Sequence, residues 1–167
     1  MALIIRDAAG VALQIALVAL ASYACGSYVT GLFHSASARP GGLWSVVSGI
    51  VVLQATRGTT LSSAGLRVLG TLIGSIIAAA YLCLLGFSGV GMAACIFGTV
   101  FLCHAARIPD HARLAALTVG VVMVLSSENP GLSPVVSAAL RFVESCIGTG
   151  LAVLAVLVTP ETVERQT

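Results

Sequence analysis

Long apolar stretches separated by short polar gaps run through this chain from one end to the other. The stretches are 14 to 27 residues long, and a helix needs roughly 20 residues to cross about 30 Å of hydrocarbon. The gaps contain Gly and Pro, as in Arg39-Pro40-Gly41-Gly42, and these residues interrupt helical geometry. The pattern therefore predicts six transmembrane helices, near Ala8–Phe33, Leu43–Thr56, Leu61–Phe87, Gly89–Ala105, Ala112–Ser127 and Ser133–Thr159.

Composition favours a membrane protein over a soluble one. Hydrophobic residues make up 58% of the 167 residues and charged residues only 8%, whereas about a quarter of a soluble domain is charged. The abundant glycine suits helices that pack closely in lipid, while barrel strands would alternate polar and apolar residues. Ala36-Ser37-Ala38 resembles a signal-peptidase site, but the apolar stretch before it is longer than a signal core, which favours a retained first helix. An all-α integral membrane protein is expected.

We expect a single transmembrane domain over residues 1–167 with no soluble domain, because no gap is long enough to be a linker. The third and sixth segments are similar, since Ala64-Gly65-Leu66-Arg67 aligns with Ala138-Ala139-Leu140-Arg141. Both chance and an internal duplication explain this similarity. A duplication would give repeats over residues 1–87 and 88–160, and three crossings per repeat would invert the second copy relative to the first.

Arginine supplies every basic side chain, and its distribution predicts an orientation. Arg39 lies on one side of the predicted topology. Five other loop and terminal arginines lie on the opposite side, namely Arg6, Arg57, Arg107, Arg113 and Arg165. The side richer in arginine normally faces the cytoplasm. We therefore expect a multi-pass protein of the cell inner membrane with both termini in the cytoplasm.

Charged residues inside the third and sixth segments are the main candidates for function, because a charge within lipid normally faces protein or water. Helical spacing places small and polar residues on one face of the third helix, namely Arg67, Gly70, Thr71, Gly74 and Ala78. The corresponding face of the sixth helix carries Arg141, Glu144, Ser145, Gly148 and Ala152. Each helix is therefore predicted to have one lipid-facing side and one polar or closely packed side.

Structural explanations of the same residues stay open at this stage. Arg67 would snorkel to the headgroups if it lay in the first turns of its helix, and Gly70 and Gly74 have the spacing of a close helix contact. Arg141 and Glu144 stand three residues apart, which suits a buried ion pair. Glu144 is otherwise a candidate for proton coupling.

No catalytic constellation is found in the sequence, so an enzyme is not expected. Asp7 and Asp110 lie outside the apolar segments, and no phosphate-binding glycine loop with a following lysine occurs. No cofactor and no metal are expected, because the three histidines lie at segment ends and the five cysteines lack metal-ligand spacing. A net charge of +2 without a basic patch gives no case for nucleic acid.

Three short runs between residues 40 and 80 occur in a recognisable order. They are Leu43-Trp44-Ser45, then Leu53-Gln54 with Gly58-Thr59-Thr60-Leu61, and then Arg67-Val68-Leu69-Gly70-Thr71-Leu72-Ile73-Gly74. This order resembles the membrane half of the fusaric acid resistance, or aromatic acid exporter, family, which is similar to plant aluminium-activated malate transporters. The resemblance implies six membrane helices, transport of organic anions and pairing of two membrane halves. The family's motif falls on Gln54, Thr59, Arg67, Gly70, Thr71 and Gly74.

This chain departs from the family pattern in three respects. Ala55 stands where proline is expected, Ser62 and Ser63 stand where basic residues are frequent, and we expect no counterpart of the large cytoplasmic domain of many exporters.

Two functional hypotheses follow. The first is a transporter or channel subunit that exports small organic anions, preferably aromatic carboxylic acids, and works as a homodimer in the lipid bilayer. Trp44 would anchor the second helix at the membrane interface. The expected substrate site comprises Arg67, Arg141, Thr71, Ser145, Gly70, Gly74 and Gln54. The second hypothesis is a non-transporting scaffold or assembly subunit, in which the same polar faces only join helices.

Overall fold

The computed structural model describes the backbone of residues 2–159 and the side chains of residues 8–159. This part of the chain forms six α-helices, and it contains no strand, which confirms the all-α prediction. The side chain of Arg6 and the whole of Arg165, on which the orientation prediction partly rests, lie outside the described residues. The helices are α1 Ala2–Phe33, α2 Ala38–Val52, α3 Arg57–Leu85, α4 Gly89–Ala105, α5 Pro109–Glu128 and α6 Pro134–Val158, with a 3-10 turn at Ser35–Ser37.

The second helix begins earlier than the sequence predicts, because residues 39–42 form its first turns instead of a gap. Pro40 is tolerated there, since backbone N–H groups in the first turn have no helical partner. Gly41 and Gly42 serve close packing against α1. A Cβ on Gly41 would lie 2.8 Å from Thr30 Cβ, and one on Gly42 would lie 2.8 Å from Tyr23 Cδ2.

The third helix also begins earlier, because Arg57 and Gly58 belong to its first turn. The Thr56 hydroxyl accepts a hydrogen bond from the Thr59 backbone N–H at 3.2 Å. In return, the Thr59 hydroxyl accepts one from the Thr56 backbone N–H at 3.3 Å. This reciprocal capping box satisfies two donors that a helix start leaves free. The Thr-Arg-Gly-Thr run therefore determines where α3 begins.

Four helices, α1, α3, α5 and α6, are long and apolar enough to cross a membrane. The other two are shorter, with 15 residues in α2 and 17 in α4. At about 1.5 Å per residue they extend roughly 23 and 26 Å, against a hydrocarbon core of about 30 Å.

Side chains are distributed in the opposite sense to a soluble protein. Large apolar residues such as Leu84, Val90 and Phe97 are exposed, while the interior contains Ser45, Thr71 and other polar groups. Exposed apolar surface on this scale requires an apolar surrounding. The chain is therefore a multi-pass helical membrane protein.

Helices α3 and α6 pack against each other at the centre of the bundle. Helix α2 packs on α6 and α5 packs on α3, while α1 lies against α2 and α4 against α5. If α1, α2 and α3 are exchanged with α4, α5 and α6 in that order, the set of contacting helix pairs stays the same. Helices α2 and α5 do not touch each other, and an open groove lies between them.

Candidate functional site

The small and polar faces predicted for α3 and α6 are both buried. The buried residues of α3 include Arg67, Gly70, Thr71, Gly74 and Ala78, and those of α6 include Arg141, Glu144, Ser145, Gly148 and Ala152. On the opposite face of α3, Leu69 and Ile76 are exposed. Helical spacing in the sequence thus indicates correctly which side of each central helix faces the interior.

Three hydroxyl groups connect α2, α3 and α6 in the interior of the bundle. Thr71 Oγ1 on α3 lies 3.1 Å from Ser145 Oγ on α6. Ser48 Oγ on α2 lies 3.3 Å from Ser145 Oγ and 2.9 Å from the Trp44 carbonyl oxygen. We call Ser48, Thr71 and Ser145 the hydroxyl cluster. Because hydroxyls both donate and accept, the cluster can reorient its protons toward a ligand.

Arg67 donates to this cluster from the α3 side. Its Nε and Nη2 lie 3.2 and 2.9 Å from Ser48 Oγ. Among the described residues no carboxylate pairs with its guanidinium group. Arg67 is 1% exposed and lies about 15 Å along α3 from Arg57, at about 1.5 Å per residue. The snorkelling explanation is therefore wrong, because this side chain lies well inside its helix and points into the protein.

Trp44 covers the other side of the Arg67 guanidinium group. The guanidinium carbon lies 4.7 Å from the centroid of the Trp44 ring, which is a cation–π contact. Trp44 is 6% exposed, and its Nε1 has no hydrogen-bond partner among the described residues. The prediction that Trp44 anchors α2 at the membrane interface was therefore wrong, because the ring packs against a buried cation.

Arg141 and Glu144 form the second charged centre, as their spacing in the sequence suggests. Arg141 Nη2 lies 2.7 Å from Glu144 Oε1. Thr30 on α1 donates to the same oxygen at 2.5 Å, and Ser45 on α2 donates to the Glu144 carbonyl at 2.8 Å. Within the described part of the chain, Arg141 Nε and Nη1 and Glu144 Oε2 are buried without a hydrogen-bond partner. This pair therefore retains unused hydrogen-bonding capacity on both sides.

The other predicted site residues lie elsewhere. A Cβ on Gly70 would lie 2.7 Å from Leu114 Cβ, and one on Gly74 would lie 2.7 Å from Thr118 Cβ. Both glycines therefore allow α3 to approach α5. Gln54 is exposed in the connection between α2 and α3, and its hydrogen bonds are with Val51 and Thr60 instead of the hydroxyl cluster.

Sequence reasoning missed three contributors, Thr30, Ser45 and Ser48. Part of the signal was present, since Gly41, Ser45, Ser48 and Val52 recur at helical spacing and are all buried on α2. Because the start of α2 was predicted at Leu43, Gly41 was not recognised as part of this buried face. Thr30 gave no local signal, because its partner on α6 is 114 residues away in the chain.

A comparison with protein families covers most of these residues. Residues 23–155 match the family described as fusaric acid resistance protein-like. No curated protein and no solved structure matches the chain. The match confirms the resemblance drawn from residues 40 to 80, and it extends over the hydroxyl cluster and both buried arginines.

Proposed function

This chain is a member of the fusaric acid resistance protein-like family, and from that premise we propose that it carries small organic anions across a membrane. Membership indicates a function related to transport or resistance, and the multi-pass helical fold suits such a function. Aromatic carboxylates are the proposed substrates, because Arg67 lies beside an aromatic ring in the interior of the bundle. Export is the proposed direction.

One observation carries this proposal, namely that among the described residues the buried cation of Arg67 contacts neutral groups and no carboxylate. Taking a charge out of water costs several kcal/mol, and proteins normally offset that cost with an opposite charge. Arg67 has the Ser48 hydroxyl and the Trp44 ring in place of a carboxylate. A substrate carboxylate would supply the missing negative charge and would match the planar fork of guanidinium donors. The electrostatics therefore favour an organic anion beside the hydroxyl cluster.

Arg141 and Glu144 extend the proposed site and link it to protons. In the observed arrangement Glu144 occupies Arg141 as an internal anion. A proton on Glu144 removes that negative charge, which frees the Arg141 guanidinium group for a substrate carboxylate. Thr71 and Ser145 supply hydroxyls to the bound anion. In this mechanism Glu144 couples proton uptake to anion binding.

We further propose six membrane crossings built as two inverted three-helix repeats, with both termini in the cytoplasm of an inner-membrane protein. The exchange relation among the helix pairs supports the repeats, and the arginine distribution supports the orientation. A homodimer is proposed because α2 and α4 are shorter than the hydrocarbon core. A second subunit would surround these short helices with protein.

Reconstituted vesicles provide the test of transport against the scaffold hypothesis. Uptake of radiolabelled benzoate is measured with purified protein and with empty vesicles, and benzamide serves as the neutral control of the same shape. The proposal predicts saturable benzoate flux above empty vesicles and no protein-dependent benzamide flux. A folded, monodisperse protein that passes neither compound would reject transport and favour a scaffold.

A further inference from the structure

An apolar groove opens between α2 and α5, on the side of the molecule where these two helices do not touch. Its volume is about 410 Å³, within the roughly 300–1,000 Å³ range of small-molecule sites. Its walls include Pro40, Trp44 and Val47 from α2 and Val121 and Val124 from α5. None of the described residues that line it is charged, so the groove by itself fits an apolar group.

Trp44 is the residue that the groove shares with the buried cation. The ring forms part of the groove wall, and the Arg67 guanidinium carbon lies 4.7 Å from the ring centroid. Arg67 itself does not line the groove. The Trp44 side chain therefore stands between a membrane-facing apolar space and a guanidinium group that has no carboxylate partner among the described residues.

The indole N–H of Trp44 adds an independent indication of a ligand. Buried Trp N–H groups usually have a hydrogen-bond partner, yet Trp44 Nε1 is buried without one in the described structure. The ring that lines the groove thus carries a donor without a partner and contacts a cation that has no carboxylate partner in the described part of the chain. A carboxylate accepts from both kinds of donor, while an aromatic ring attached to it fits the groove.

We propose that the α2–α5 groove binds the aromatic ring of the transported substrate from the membrane side, and that Trp44 controls the access of the substrate's carboxylate group to Arg67. This inference rests on the proposed function and adds to it the place and direction of binding. In the proposed complex the aromatic ring of the substrate lies in the groove, and its carboxylate group accepts a hydrogen bond from the Trp44 N–H. When the indole moves aside, the carboxylate group reaches the Arg67 guanidinium group.

Tryptophan fluorescence tests this directly, because Trp44 is the sole tryptophan of the chain. The protein in lipid nanodiscs is titrated with 4-bromobenzoate, whose bromine quenches a ring that it contacts, and with neutral 4-bromobenzamide. Val124→Phe fills the groove at a residue that is 39% exposed, and Val143→Phe on α6 is the matched control at 41% exposure outside the groove. Neither change buries new volume in the core.

The expected result is saturable quenching by 4-bromobenzoate, with affinity lowered about tenfold or more for the amide and for Arg67→Gln, as loss of a charge-assisted contact implies. Val124→Phe lowers the affinity similarly, and Val143→Phe leaves it unchanged. Trp44→Phe keeps the ring but removes the N–H donor, so it reduces benzoate flux without abolishing expression.

Several results overturn the inference. If benzoate flux is observed without quenching of Trp44, and Val124→Phe does not change that flux, the protein transports benzoate but the groove is not its binding site. Equal quenching by acid and amide means that the probe only partitions into lipid. A Val124→Phe protein with an altered oligomeric state and unchanged quenching assigns the groove to a subunit interface. The absence of both binding and flux rejects the inference together with the proposed function.

Discussion

A methyl group added at Gly148 should force apart the two helices that hold the site, whereas the same change at Gly150 should be tolerated. A Cβ on Gly148 would overlap the Ser45 carbonyl oxygen and lie 2.9 Å from the Gly49 nitrogen. These are backbone atoms, so no rotamer change relieves the clash. A Cβ on Gly150 would meet nothing within 4 Å. Both glycines lie inside α6, so the gain in helix propensity is the same for both.

The size of the effect follows from the contacts that are lost. Overpacking typically costs about 1–3 kcal/mol. Separation of α2 from α6 also weakens the hydrogen bonds that Ser45 and Ser48 make to α6, each worth about 1 kcal/mol. Alanine in place of helical glycine returns about 1 kcal/mol. Gly148→Ala should therefore destabilise the fold by about 2–4 kcal/mol, while Gly150→Ala should stabilise it by up to about 1 kcal/mol.

Thermal unfolding of both variants in mild detergent measures the difference, and wild-type protein gives the reference. Gly148→Ala should also lose benzoate flux, because Ser145 then moves away from Ser48. Equal melting temperatures for the two variants would refute the close contact between α2 and α6, and with it the geometry of the hydroxyl cluster.

Three further predictions concern the ion pair, the orientation and the assembly. Arg141→Gln or Glu144→Gln alone should cost about 3–5 kcal/mol of stability, because each leaves a buried charge unpaired. The double variant should cost less than the sum of the two single variants. Additive costs would contradict an ion pair between these residues. A reporter that is active only in the periplasm, fused after Thr167, should be inactive, and activity would reverse the proposed orientation. Light scattering in mild detergent should give a dimer, and a monomer that transports at full rate after reconstitution would disprove it.

Much of this fold could be predicted from the sequence because lipid imposes a simple rule on helices. Apolar length identified the segments, and helical spacing identified the buried faces of α3 and α6. The start of α2 was predicted too late because glycine occurs both in turns and at close contacts between helices. In a soluble protein Gly41 and Gly42 would suggest a turn, whereas here they bring α2 close to α1.

The site was only partly predictable because its central contacts join distant parts of the chain. Sequence spacing could indicate the Arg141–Glu144 pair, since both residues lie on one helix three positions apart. No local pattern indicated that Ser48 would accept hydrogen bonds from Arg67 or that the Trp44 ring would stack on the Arg67 guanidinium group. Those contacts depend on how α2 packs against α3 and α6. The groove between α2 and α5 is likewise a property of packing and has no sequence pattern of its own.

Benzoate flux through vesicles containing Arg67 variants tests the central claim most directly. Arg67→Lys keeps the charge but loses the planar fork, Arg67→Gln loses the charge, and Arg113→Gln removes an exposed arginine at the start of α5 as the matched control. The proposal predicts full flux for Arg113→Gln, reduced flux for Arg67→Lys and near-background flux for Arg67→Gln at equal protein yield. Wild-type flux from Arg67→Gln would contradict the account, because the buried cation would then serve only to join helices.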